Sequence, residues 1–223
     1  TTDGAAPRAR AGFRVLLGIG DDAAAWSAGA GMSVATTDTL VEGVHFRLEW
    51  TSWRDLGWKS MVASLSDVAA MGCSPTLAVV TLGIKNDHEV DDLLDLYGGM
   101  LDASDRFGGT IIGGDVVRSP VLFVTVAMHG AAESERDSSP RLLTRDSASP
   151  GDEIAVTGSL GCSAGGLRMM SEGLAFDSET AGHLTRAHNR PVARVAEGMG
   201  LARSGIVTAM DISDGLVDDL GKL

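Results

Sequence analysis

Residues 18–26 read GIGDDAAAW, with Asp21 and Asp22 side by side behind a glycine turn. Two readings of this stretch lead to different folds. Preceded by the apolar FRVLL of residues 13–17, it matches the G-x-G-x-x-G/A pattern of a dinucleotide-binding turn. Asp38 also stands near the position where that pattern carries an acid. Chain length argues against it. Between this turn and the next candidate strand runs only AAAWSAGAG, too short and too glycine-rich for a crossover of roughly 10 to 12 residues carrying a helix. Two carboxylates would also occupy the place where a pyrophosphate needs amide donors. A phosphate-binding loop of the G-x-x-x-x-G-K-[ST] type is missing as well, since GWKS at 57–60 supplies only its tail. What remains is a pair of acids at a turn, with no Lys or Arg between Arg14 and Arg47 to neutralise them.

The same pattern recurs along the chain. MSVATTD ends on Asp38, GTIIGGD ends on Asp115, and VTAMDIS leads into Asp211 and Asp214. Each acid follows a short apolar run expected to be a strand, and ligand sites of such folds collect at strand ends. Asp67 differs in lying late in a helical stretch. Singly, each has a plain alternative: Asp214 as a helix cap, Asp67 as a solvated position, Asp115 in a local turn. As a set they would repel by roughly 4 kcal/mol per close pair at a surface-like dielectric. A hard divalent cation removes that cost, and Mg²⁺ takes carboxylate oxygens together with phosphate oxygens.

The bulk composition limits the partners. The chain has 223 residues, 44% of them apolar and 4% aromatic, which fits an α/β protein of one large or two modest domains. A net charge of −12 argues against nucleic acid or an anionic membrane surface as a partner. Cys73 and Cys162 form no CxxC pattern, so neither a disulfide framework nor a zinc site is expected, and a reducing cytoplasm is. No apolar run approaches the roughly 20 residues of a membrane span.

The expected layout begins with a small, polar segment over residues 1–12 and a strand at 13–17. Another strand is expected at 32–38, then a helix over 53–72, where Trp58, Met61, Val62, Leu65, Val68 and Ala69 repeat on one face. Strands at 76–84, 109–115 and 120–130 bracket a second helix at 88–108, whose NDHEVDDLLD portion is a solvated face. The polar stretch from Glu133 to Gly151 places a boundary between a domain of residues 1–135 and a second of residues 136–223. Beyond it, DEIAVTG and VTAMDIS read as strands, while residues 159–173, 190–205 and 214–223 read as helical.

Taken together, GIGDDAA (18–24), TTDTLVEGVHF (36–46), KSMVASLSDVAAMGCSP (59–75), IIGGDVVRSP (111–120), LLTR (142–145), PGDEIAVTGSLGCSAGGL (150–167) and DISDGL (211–216) resemble the thiamine-monophosphate kinases. These form a family within the superfamily of aminoimidazole ribonucleotide synthetase. The resemblance implies an α/β, or α+β, fold. Its N-terminal mixed or antiparallel sheet would carry helices on one face and dimerise into a barrel-like core. A second α/β domain would follow, cut short here, because family members continue past DISDGL into a segment that holds the thiamine moiety.

The implied activity is ATP- and Mg²⁺-dependent phosphorylation of thiamine monophosphate to thiamine diphosphate by a homodimer. Carried onto matching positions, Asp22, Thr36, Thr37, Asp38, Asp67, Asp115, Asp211 and Asp214 resemble the ligands of several Mg²⁺ ions. Tyr97, Gly114, Asp115, Arg145 and Ser213 resemble contacts to ATP, and His45 a contact to thiamine monophosphate. The acceptor is a phosphate already ionised at neutral pH, so no general base is implied, only positioning and charge neutralisation. The alternatives are another ATP-using member of the superfamily with a different acceptor, and a non-catalytic nucleotide-binding module.

Overall fold

The computed structural model describes residues 13–17, 22–28, 31–132 and 141–223. The polar opening segment, Asp21 and residues 133–140 of the expected boundary lie outside the described residues. In chain order the elements are β1 (Phe13–Leu17), β2 (Ala24–Ala28), β3 (Gly31–Val41), α1 (Trp53–Ala70), β4 (Ser74–Ile84), α2 (Val90–Phe107), β5 (Thr110–Arg118) and β6 (Phe123–Ala131). The helices α3 (Cys162–Glu172), α4 (Ser178–Asn189), α5 (Val195–Arg203) and α6 (Leu216–Leu220) follow.

The strands form one sheet in the order β1-β2-β3-β6-β4-β5. Among the described strands only β4 and β5 pair in parallel, and they are joined through α2, as a parallel pair requires a crossover. The short AAAWSAGAG stretch contains β2, which pairs antiparallel with both β1 and β3. Among the described residues the connection from β1 to β3 runs through strand β2 and not through a helix, which argues against the dinucleotide-binding turn. The outcome is the mixed sheet of an α+β fold, with α1 laid across β3, β6 and β4 and α2 packed on α1.

Alternation along the strands sets which face is covered. Val34 and Leu40 of β3, Val124, Val126 and Met128 of β6, and Ala78, Val80 and Leu82 of β4 are buried toward α1. Each large one contributes about 1.5–3 kcal/mol relative to exposure. The intervening Thr37, Thr39, Leu77 and Val79 are exposed on the other face.

Helix α1 starts at Ser52, whose hydroxyl accepts from the Asp55 amide at 3.1 Å. The sequence expects one buried face; the helix is in fact buried on most of its circumference, Gly57, Ser60 and Ser64 included. The reason is that α1 is sandwiched between the sheet on one side and α2 and α5 on the others. At the α1–α2 crossing a Cβ on Gly57 would stand 1.8 Å from Leu96 O, and one on Gly99 1.8 Å from Arg54 O. The close approach of these helices is therefore made by two glycines.

Two expectations are corrected. DEIAVTG and VTAMDIS are not strands: neither segment belongs to the sheet, and residues 151–160 are exposed throughout. A strand exists only through its ladder, and no strand among the described residues pairs with them. Asp38 and Asp115 also lie within β3 and β5 rather than at their ends, because each strand continues in hydrogen-bonded register past the acid. Helix α4, which the sequence reading passed over, is capped by Asp177, whose carboxylate accepts from the Thr180 amide at 2.9 Å.

Residues 141–223 hold to α1 by specific contacts. Leu143 N donates to Met71 O at 3.2 Å, and Asn189 Nδ2 to Trp50 O at 2.8 Å. The Trp58 indole donates to Pro191 O at 2.7 Å, and a Cβ on Gly198 would meet Ala69 O at 2.0 Å. These contacts bring the loop carrying Asp211 over the last turns of α1.

Candidate functional site

The site assembles where the β1–β2 turn, the C-terminal end of α1 and the 207–213 loop meet. Asp22, Asp67 and Asp211 each aim a carboxylate oxygen into one space, the oxygens lying within 4.8 Å of one another. At that separation two ionised carboxylates repel by about 3 kcal/mol at a surface-like dielectric. The effect is legible in their acidities. Burial raises Asp67 far above the usual carboxylate range, and the Asp38, Asp211 and Asp22 charges add to it. Asp211 rises for the same first reason, burial, with Asp22, Asp219 and Asp38 contributing.

Hydroxyls from two elements orient these groups. Thr36 Oγ1 donates to Asp67 Oδ2, and Ser66 Oγ donates to Asp211 Oδ2 at 2.8 Å. Ser64 Oγ lies 3.0 Å from both Asp38 Oδ2 and Val126 O, so its single proton serves the acid and the strand. The Arg145 guanidinium reaches Asp22 from the turn at Arg145–Ser147 and forms an ion pair with it. The donor set is thus oxygen only, anionic and partly desolvated, which fits a hard divalent cation and not a soft metal.

Alternation decides which of the adjacent threonines takes part. Thr36 and Asp38 share the face of β3 that looks at α1, whereas Thr37 points to the exposed face. Asp115 also stands on the exposed side, in the same cross-strand row as Thr39, Thr125 and Thr81. It sits three strand spacings, about 14 Å, from β3. Its carboxylate turns back onto the Val116 amide at 2.8 Å. Within one chain, then, Thr37 and Asp115 do not reach the acid cluster.

The remaining residues singled out from sequence are spread around it. Asp214 pairs with Lys222 at 2.8 Å and is exposed. Ser213 offers its amide to Asp219 Oδ2 at 2.9 Å. Gly114 lies in β5, where a Cβ would stand 1.9 Å from Val80 O. Tyr97 of α2 is partly buried against the core, and burial raises the pKa of its hydroxyl. His45 closes the turn after β3 by accepting the Val41 amide on Nδ1 at 3.0 Å.

Sequence reading missed the supporting groups. Ser64 and Ser66 were visible as hydroxyls punctuating the apolar VASLSDVAA, one and three residues before Asp67. Asp219 was overlooked as part of an acidic helix. Its buried carboxylate accepts the amides of Ser213, Asp214 and Gly215 at 2.9–3.0 Å. Burial opposes its ionisation, but the Lys222 hydrogen bond and these amides outweigh that and hold its carboxyl below the usual range. It fixes the DISDGL loop from below.

Against known proteins, the model of the family described as AIR synthase related protein, N-terminal domain, matches residues 20–132. The thiamine-monophosphate kinase of Mycobacterium tuberculosis (strain H37Rv) is 37% identical over 206 residues, 92% of this chain and 59% of its own. That of Escherichia coli K12 is 38% identical over 211 residues, 94% of this chain and 62% of its own. The solved complex of AaThiL with AMPPCP and TMP superposes with a TM-score of 0.83 at 31% identity, covering 92% of this chain and 63% of that one. The chain therefore spans about three fifths of the length of the curated relatives it matches. With the family model covering half of its length and the mixed sheet shared with a solved relative, the chain belongs to the AIR synthase related proteins.

Proposed function

We propose that this chain carries the phosphoryl-transfer centre of a thiamine-monophosphate kinase, moving the terminal phosphoryl group of ATP onto thiamine monophosphate to give thiamine diphosphate. The observation that carries the reading is the convergence of Asp22, Asp67 and Asp211. The solved relative that holds AMPPCP and TMP supports it. The acceptor oxygen is anionic at neutral pH, so the chain needs no side chain to take a proton from it. Its task is to hold two polyanions in line.

Asp22, Asp67 and Asp211, with Asp38 and Thr36 beside them, would hold Mg²⁺, which supplies positive charge between the phosphates of the two substrates. Ser66 and Thr36 keep the carboxylates of Asp211 and Asp67 turned inward. Arg145 neutralises Asp22 and presents a guanidinium at the edge of the same space, where it serves as a nucleotide contact. Ser213, Gly114 and Tyr97 belong to the ATP contacts in this reading, Thr37 and Asp214 to the metal set, and His45 to the acceptor phosphate.

Asp115 enters through a homodimer. Leu77, Val79, Ile112 and Val117 leave the outer face and the β5 edge apolar and exposed, the surface a second copy would cover. Asp115, remote from its own chain's acids, would serve the site across that junction. The reading also takes residues 1–135 and 136–223 as separate domains and the cytoplasm as the compartment. Among the described residues no helix is long and apolar enough to cross a membrane.

The test is direct measurement of thiamine diphosphate from ATP, thiamine monophosphate and MgCl₂. Acceptor-dependent ADP release, abolished by EDTA, is expected. Nucleotide binding with no acceptor-dependent turnover would sink the proposal, and faster turnover of a different monophosphate would move the substrate.

A further inference from the structure

On the side of α1 away from the acids the chain reverses its electrostatic character. Asp67 and Trp58 lie nine residues apart, which places them on opposite sides of the helix and about 14 Å apart along it. Around Trp58 opens a groove of about 490 Å³ lined by Trp58, Arg106, His183, Arg186, Ala187, Arg190 and Val192. The protein has 30 acidic side chains against 18 basic ones, yet this groove gathers three arginines and a histidine and no acid.

Two of the three arginines, Arg190 and Arg106, are held rather than loose. The Arg190 guanidinium stacks 4.5 Å from the Trp58 ring centroid, and Arg106 lies 5.7 Å from it and 5.0 Å from that of Phe107. The indole is fixed by its hydrogen bond to Pro191 O and by edge contact with Phe107. Arg190 forms ion pairs with Asp55 at 3.5 Å and with Asp102 at 3.6 Å. Arg106 and Arg186 have no ion-pair partner among the described residues. Contact with the aromatic rings orients the Arg106 guanidinium while leaving its N–H fork available.

We infer that this groove is a binding site for a phosphorylated small molecule, separate from the acid cluster. Guanidinium forks match the paired oxygens of phosphate, which they bind bidentately. The volume lies within the range of small-molecule sites, and Val192, Ala187 and the indole edge offer apolar surface to an organic portion. Trp58 and Arg106 come from α1 and α2, while His183, Arg186 and Arg190 come from α4 and its C-terminal end. An occupant therefore bridges the two halves of the chain.

The test uses inorganic pyrophosphate as the probe, with EDTA present so that no metal-dependent binding at the acid cluster contributes. Calorimetric titration of the intact protein should give saturable binding at one site. The Arg106→Gln/Arg186→Gln variant should weaken it at least about tenfold, the loss of a charge-assisted hydrogen bond. Ala187→Glu, which leaves every arginine in place, should do the same, whereas Asp38→Asn at the other site should bind as wild type does. Unsaturable binding in the wild type overturns the inference, as does unchanged binding in either groove variant. Equal displacement by citrate would reduce the groove to a non-specific basic patch and overturn it as well.

Discussion

At Asp38, half-buried on β3, the Ser64 hydroxyl is shared between the carboxylate and the strand carbonyl of Val126. An asparagine there keeps an oxygen for Ser64 to donate to but removes the charge that would face a cation. Asp38→Asn should therefore lower kcat for thiamine diphosphate formation by about 100-fold or more. Its unfolding free energy should stay within about 1 kcal/mol of wild type. Turnover unchanged at saturating Mg²⁺ would remove Asp38 from the site. A second residue-scale outcome concerns His188, whose Nε2 lies 3.0 Å from Lys59 Nζ and whose Nδ1 lies 3.2 Å from Ser163 Oγ. Burial, then the Lys59 charge, pushes His188 down to about 4 from its ordinary 6.5. Burial lowers Lys59 to about 8 from 10.5. Between pH 6.5 and 4 the unfolded chain binds a proton at His188 that the folded chain refuses, so stability falls as pH falls through that window. The Lys59 penalty is full below pH 8 and is relieved as pH rises toward 10.5. His188→Gln should flatten the acid limb of a plot of Tm against pH by the equivalent of about 2 kcal/mol. An unaltered limb would show that the histidine does not titrate as described.

Among the elements, α1 does the most to join fold and site. It carries Asp67, Ser64 and Ser66 toward the acids, Trp58 toward the arginine groove, and Gly57 into the crossing with α2. The sequence reading found this helix from its apolar spacing and recognised Asp67, but it could not see that α1 is enclosed by the sheet, α2 and α5 together. Periodicity reports one buried face; burial on the others comes from elements distant in sequence. Gly99→Ala tests the crossing. Its new methyl group would meet a backbone carbonyl rather than a side chain that could move, so a loss of about 3 kcal/mol or more in urea unfolding is expected. A cost under about 1 kcal/mol would mean the two helices move apart easily enough to admit the methyl group. The missed α4 and the two absent strands mark the complementary limit. Helix α4 is amphipathic but mostly polar, so few apolar residues mark it in the sequence, and an apolar run such as DEIAVTG is β-prone without being paired.

For the molecule as a whole, the uncovered face of the sheet is the feature of largest consequence. Val79 is 42% exposed on that face, so Val79→Asp leaves the core intact while placing a charge on the proposed dimer surface. Light scattering should give twice the chain mass for the wild type and a single chain mass for the variant. A monomeric, fully active wild type would leave Asp115 without a role at any site. The sequence by itself pointed to the chemistry through acids with no cation close by in the chain, a crossover too short for a dinucleotide fold, and motifs shared with its family. These are local properties, carried by residue type and by spacing within a few turns or strands. Only the tertiary structure decided that Arg145 pairs with Asp22, that Thr36 and not Thr37 meets Asp67, that Asp211 arrives from residues 145 positions beyond Ser66, and that Asp115 stands apart. Sheet order, strand facing and helix enclosure are relations between distant segments, and no local pattern encodes them.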